Sequence, residues 1–398
     1  MRPPQCGFPR YQRRTAAKSG IKNMTNKIFN RTNVRRARVW APLCGAIFLG
    51  ITAIAHGSVF TGNVNTAWSN PGNWNPIGLP TDAEIPSNKL VDIDVAASVT
   101  TLTTQPNSVI RAAGGSITVT GAFNCNGGQM GSAASPFQLT ISNNATMFIA
   151  ASNAHRWDAV VINNAGTIDW AGGDVRCGAL INNSGLWTIH GDGFFGETGT
   201  GGLIVNTGRI IKETGNGTTS FYGFNGNDYR LMRINNTGGS IAVASGNLEI
   251  GAGDSNGNYE VGAQHTLRFV GGPANLNGVT FTGGGTCEFN APGEIRLIGT
   301  IEVEMDLKSV TGFIAGDGAA QNEATLHGSG RLIWESGTLA GTLTLGSDFR
   351  SVVTGGAAKS AANLTNKGVM SWVGPGPMGG LIQNEGTLDL LAAGTFTT

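Results

Sequence analysis

The groups in this chain that can do chemistry are a serine set between glycines, scattered histidines and a few aspartates in turns. The stretch Gly253-Asp-Ser-Asn-Gly257 fits the G-x-S-x-G pattern, in which a serine on a strand-turn-helix elbow is activated by a histidine. No helical periodicity follows it, and Asp, Ser, Asn and Gly are all turn formers, so Ser255 is expected in a turn. His155, His190, His265 and His327 stand apart with no His-x-x-x-His pair, which gives a zinc site no local support. The turns at Asp174, Asp192 and Asp254 offer oxygens of the kind that bind calcium, but without the regular spacing of a calcium-binding repeat. Gly191-Asp-Gly-Phe-Phe-Gly196 and Gly374-Pro-Gly-Pro-Met-Gly379 match the phosphate fingerprint G-x-G-x-x-G. Neither opens a helix whose N-terminus could face a pyrophosphate. With 62 glycines in 398 residues, roughly one or two such matches arise by composition alone.

Polysaccharide lyases and glycosidases work through carboxylates on one face of a solenoid. Asn206-Thr-Gly-Arg-Ile-Ile-Lys212 superficially resembles part of a polygalacturonase signature, but glycine stands where that family has aspartate, and no Asp-Asp pair occurs. Asp174, Asp192 and Glu197 are the carboxylates that coils of such a fold can bring together. No residue is assigned a catalytic, cofactor-binding or metal-ligating role, and a carbohydrate-active enzyme is the alternative to a non-catalytic reading.

The elements that must position these groups are legible in a repeat. Ile162-Asn-Asn-Ala-Gly-Thr-Ile-Asp-Trp170 is followed by Ile181-Asn-Asn-Ser-Gly-Leu-Trp-Thr-Ile189, and further copies centre on Asn206, Asn236, Asn366 and Asn384. Together with Asn164 and Asn183 these make six, each with an aliphatic residue two positions earlier. After the glycine comes period-two alternation, the mark of a strand with one buried face. The copy at Asn206 puts Lys212 in an inward slot, the copy at Asn236 carries an extra Gly239 that a bulge would accommodate, and Ile141–Ile149 is a degenerate copy with Ala145 for glycine. Spacings of 19, 23, 30 and 18 residues, without helical segments, predict a solenoid, because no single unit can bury its apolar face alone. Asparagine at the corner is expected to bond backbone or its counterpart in the next coil, and glycine to take positive φ there. At roughly 22 residues per coil, residues 87–398 make about 14 coils, on the order of 65 Å at strand spacing. Strand-like fragments without the asparagine fill the interval from Asn236 to Asn366; they read as the same solenoid with other corners, against an inserted β-sandwich.

Only 13% of residues are charged, against roughly 25% in an ordinary soluble domain. The formal charge of +1 conceals an asymmetry: residues 1–55 hold eleven Lys or Arg and no acid, leaving 15 basic residues against 25 acidic ones, about −10. The basic stretch precedes the apolar run Ala41–Ala55, which ends in Ala53-Ile54-Ala55, the small-x-small pattern of a signal-peptidase site. Residues 1–55 are thus expected to be a signal peptide cleaved after Ala55, with Met24 an alternative start; the apolar run is short of the roughly 20 residues of a comfortable membrane span. With the basic cluster in the leader, nothing points to a nucleic-acid partner. Cys125, Cys177 and Cys287 are widely spaced and odd in number, which suits buried small side chains, with one disulfide left open.

Residues 56–86 form an N-terminal cap segment in this reading, with Trp68 and Trp74 around Asn70-Pro71-Gly72, then Pro80 and Asp82. The tryptophans either cover the first coil or, alternatively, stack on carbohydrate. Taken with the N-x-G-T repeats, this W-x5-W segment resembles exported bacterial parallel β-helix proteins of the adhesin and autotransporter-passenger type. The resemblance implies an all-β, right-handed parallel β-helix over residues 87–398, serving as a structural or adhesive rod at the cell surface or outside the cell, with glycans or surface proteins as partners. Passengers of that type continue into a membrane barrel of alternating strands. No such strands precede Thr398, so the chain reads as truncated there or held by other means.

Overall fold

In the computed structural model, residues 57–132, 137–196, 202–221, 232–251, 253–271, 273–316 and 323–391 are described, with backbone alone at 291–293 and 311–316. The leader with its cleavage site at Ala55, and Glu197, lie outside the described residues. The described chain contains no α-helix; nearly all of its strands are parallel and wind into a β-solenoid of about 14 turns. Each coil lays strands on three faces in turn, exemplified by Leu203–Asn206 on face A, Arg209–Lys212 on face B and Thr218–Phe221 on face C.

Register is kept from coil to coil. On face A, Leu139 pairs with Ile162, Ile162 with Ile181, Ile181 with Ile204 and Ile204 with Ile234, all of them buried. On face B the inward column runs Ile168, Trp187, Ile210, Ile241, Tyr259 and Phe281. On face C, Phe221, Ile250, Phe269 and Phe289 stack in the same way. Where the columns converge, Phe195 meets Trp157, Trp170 and Trp187 edge-on, with ring centroids 5.1–5.5 Å apart. The strands between Asn236 and Asn366 continue these columns in parallel pairing, so this interval belongs to the same solenoid.

The asparagines form two ladders, not one set of six. Asn164, Asn183, Asn206 and Asn236 stack at the corner between faces A and B, where the Nδ2 of each donates to the Oδ1 of the next at 2.6–2.7 Å. The second Nδ2 hydrogen reaches a backbone carbonyl in the next coil, as from Asn164 to Leu186 (3.2 Å) and from Asn206 to Ser240 (3.2 Å). Asn366 and Asn384 repeat the pattern, with bonds of 2.7 Å to Asn384 Oδ1 and 2.9 Å to Thr387 O, but at the corner between faces B and C. The same local motif therefore delivers Trp170 to face B and Trp372 to face C, and each indole donates to the carbonyl of the glycine two residues on, at 2.7 Å.

Each ladder begins above a longer corner. Ile141 pairs with Asn164 and Leu345 with Asn366, and in both lower coils the corner has two more residues, folded into a turn closed by Ala145 N–H to Ser142 O (2.9 Å) or Phe349 N–H to Gly346 O (3.0 Å). Ala145 does stack under Gly166, yet Ile141, not an asparagine, occupies the ladder row. The acceptors Asn164 Oδ1 and Asn366 Oδ1 consequently have no donor beneath them.

The positive φ expected of the motif glycine is found at Gly238, in the copy at Asn236, whereas in the other five copies the glycine has a different cause. Gly166, Gly185, Gly208, Gly368 and Gly386 lie outside the left-handed region. They are glycines because the carbonyl of the coil below comes too close: a Cβ on Gly185 would stand 2.1 Å from Gly166 O, and one on Gly208 2.1 Å from Gly185 O. The extra residue at Gly239 is also absorbed without a strand bulge. Asn206 still pairs with Asn236 and Arg209 with Ser240, while Gly238, at φ 70°, takes up the added residue in the corner.

Asn183→Ala removes a bond on each side and orphans Asn206 Oδ1, and is expected to lower stability by about 2–4 kcal/mol. Asn384→Ala, at the exposed end of its ladder, is expected to cost under about 1 kcal/mol. Thermal or urea unfolding of the two variants measures the difference.

Candidate functional site

Ser255 is not placed as a nucleophile. It occupies the row of the first ladder, opposite Asn236, where it is 5% exposed and donates to Asn236 O at 3.2 Å. Its role is to end the stack of amides. Among the histidines, His155 lies under the surface of face C, whereas His190 and His265 sit at corners between faces B and C, and His327 on face B.

Trp68 and Trp74 offer no stacking platform to a sugar, since each is 1% exposed. They pack edge-on with centroids 4.7 Å apart, Trp74 meets Phe60 at 5.1 Å, and the Trp74 indole donates to Trp68 O at 3.0 Å. The preceding loop is held by the buried Asn73, whose Oδ1 accepts the N–H groups of Val64 (3.0 Å) and Asn65 (3.1 Å) and whose Nδ2 donates to Asn65 Oδ1 (2.7 Å) and Ala67 O (2.8 Å).

The carboxylates picked out in the sequence do not form an acid–base pair. Asp174 is exposed on face C opposite Phe194. Asp192 turns to the interior amine of Lys212, 2.7 Å away, and accepts Gly217 N–H at 2.9 Å. Lys212 has no exposed side-chain surface; it stands between Ile189 and Val243 in an otherwise apolar column, and its second bond goes to Thr219 Oγ1 (2.9 Å). The imperfect repeat at Lys212 is thus an inward lysine neutralised across one coil.

Two constellations escaped the sequence because stacking, not local spacing, assembles them. At the corner between faces B and C, His190 Nε2 lies 3.4 Å from Asp169 Oδ1 and His190 Nδ1 lies 3.9 Å from Glu213 Oε2, all three half-exposed. Burial holds the Asp169 carboxyl above its ordinary range, against the opposing charge of His190. This carboxylate–imidazole–carboxylate row has the makings of proton transfer. The second constellation is the contact of Cys125 Sγ with His155 Nδ1 at 3.4 Å, with His155 Nε2 2.7 Å from Ala150 O. It resembles a thiol–imidazole dyad, but both residues are at most 2% exposed, burial pushes the Cys125 thiol up to about 11 and pushes His155 down, and a neutral buried thiol is inert. Cys125, Cys177 and Cys287 are all buried and free, with no disulfide among them.

Outward charges are also absorbed between coils. On face C, Arg268 bonds Glu288 at 2.7 Å and Glu249 at 2.8 Å, and Lys308 meets Glu335 at 3.3 Å. Burial alone would lower the Arg268 guanidinium; the bonds and charges of Glu288 and Glu249 outweigh it and raise it. Among the described residues no group of three or more His, Cys, Asp or Glu is arranged to hold a metal ion, and no helix is long and apolar enough to cross a membrane.

No protein-family model, curated protein or solved structure matches the chain.

Asp192→Ala strands the buried ammonium of Lys212 and is expected to destabilise by about 3 kcal/mol or more, while Lys212→Met, which fills the same column, is expected to be neutral or stabilising. Comparing melting temperatures of the two variants tests the pairing. Because folding disfavours the proton on His155, its contribution is complete above pH about 6.5 and is lost as pH falls through that value towards the lowered folded pKa. Stability measured from pH 8 to pH 5 is expected to decline below about 6.5, with a shallower slope in His155→Gln.

Proposed function

We propose that the chain is exported and acts as a non-catalytic structural or adhesive β-solenoid rod, at the cell surface or in the extracellular space. The observation carrying this reading is that the groups with chemical potential act between coils. The amide ladders, Lys212 with Asp192, and the charges of Glu249, Arg268 and Glu288 each find partners in an adjacent turn. Side chains so committed build a stable repetitive body, and a body with many similar outward rows suits numerous weak contacts that add through multivalency.

The finer elements belong to the same proposal: a leader over residues 1–55 cleaved after Ala55, right-handed winding, and an N-terminal cap in which Phe60, Trp68 and Trp74 close the first coil. An uncovered end of a parallel stack leaves unpaired backbone groups that invite another chain. Expression of the full chain in a bacterium, followed by fractionation and N-terminal sequencing, is expected to find it outside the cytoplasm with His56 as its first residue. Retention in the cytoplasm with an intact leader would overturn the reading.

The Asp169–His190–Glu213 row favours a second reading, a carbohydrate-active β-helix enzyme. That enzyme would release reducing or unsaturated ends from a polysaccharide, and Asp169→Asn or His190→Gln would abolish the release. The rod reading expects no release from any member of a polysaccharide panel.

A further inference from the structure

A cleft of about 430 Å³ lies along the corner after face A, across coils where the amide ladder has ended. Two outward rows border it. The first comprises Asp254, Asn275 and Arg296, with Asn235 beneath Asp254 in the coil below; the second comprises Thr237, Asn256, Asn277 and Ile298. Both run parallel to the solenoid axis, one residue per coil at intervals of roughly 4.8 Å, and amides recur along them at Asn256, Asn275 and Asn277.

The side chains here differ from the charged row of face C in having capacity left over. Asp254 accepts Asn275 Nδ2 at 2.6 Å, and its own N–H is taken by Asn235 Oδ1 at 3.0 Å, which fixes the first row in place. Asn256 Oδ1 accepts Gly238 N–H at 2.7 Å, and its side-chain amide nitrogen, on a residue lining the cleft, has no partner among the described residues. Asn277 and Thr237 are exposed and make no side-chain hydrogen bond among the described residues. Arg296 is already paired with Glu294 at 2.8 Å, so beside Asp254 the cleft carries no excess of positive charge.

An amide offers two donors and an acceptor, and a sugar hydroxyl is both donor and acceptor, so an amide row matches a row of hydroxyls whatever their orientation. An extended glycan advances by about one coil spacing per pyranose ring, and Ile298 provides an apolar contact for a ring face at one end. We propose that this cleft binds a neutral, extended oligosaccharide lying along the axis, one sugar to a coil, with Asn256 and Asn277 as its principal contacts. The proposal rests on the exported-rod reading, for which it supplies a ligand class.

The test is binding of the full exported chain to neutral glycans of increasing length, and to uronic-acid glycans, at low and high salt. Affinity for the neutral series is expected to rise up to about four sugars, the number of coils spanned, and to be insensitive to salt. Asn277→Ala and Asn256→Ala are each expected to weaken it roughly five- to tenfold. Asn363→Ala, at an exposed amide outside the cleft, is expected to leave it unchanged. Absence of neutral-glycan binding, binding indifferent to both cleft substitutions, or binding confined to acidic glycans and abolished by salt would each overturn the proposal. A chain that is exported but fails these tests sinks the glycan cleft alone, whereas a chain held in the cytoplasm sinks the rod.

Discussion

Strand spacing governs this molecule. Each side chain sits directly over its counterpart in the coil below, so every choice at one level is judged by the next. An interior asparagine would be costly alone, because a buried amide without partners loses its hydration for nothing. In a stack, each Nδ2 finds an Oδ1 one coil on, and from Asn164 to Asn236 the cost recurs only at the first acceptor. Bonds in such a chain polarise one another, so the ladder is held more firmly than its separate pairs suggest.

The same rule explains why charge is sparse and where it is tolerated. Like charges stacked at strand spacing repel, and opposite charges attract. Arg268 between Glu249 and Glu288 obeys this rule outside the core. Lys212 obeys it inside, where Asp192 reaches in from the neighbouring coil to neutralise an ammonium in an apolar column. Hydroxyls and amides escape the constraint, since each can both give and accept a bond, and they dominate the outer rows.

Much of the architecture was legible because stacking writes itself into the sequence as repetition. Ile162, Ile181, Ile204 and Ile234 were readable as one column from their fixed distance to asparagine and glycine. What the repeat did not encode was which corner it turned: the motif at Asn366 is locally the same as that at Asn164, but Asn366 ends a strand of face B, so the motif opens onto face C. The close carbonyl contact behind Gly185 was equally hidden, because a glycine forced by a neighbour and one forced by its own φ look identical in one dimension. Of the candidate site, Asp174 and Asp192 were visible as carboxylates, but the commitment of Asp192 to Lys212 was not. The pairs Asp169–His190 and Cys125–His155 join residues 21 and 30 positions apart, separations that acquire meaning only once coil lengths are known.

The corner at Gly238 and Gly239 carries a wider implication. One residue more than in the coil below is accommodated there while the strands on either side remain matched to their neighbours. The same insertion within a strand would exchange inward for outward side chains in all that followed on that face. A coil of this chain can therefore differ in length from its neighbour at a bend, so that the outline varies from turn to turn while the interior stays in phase.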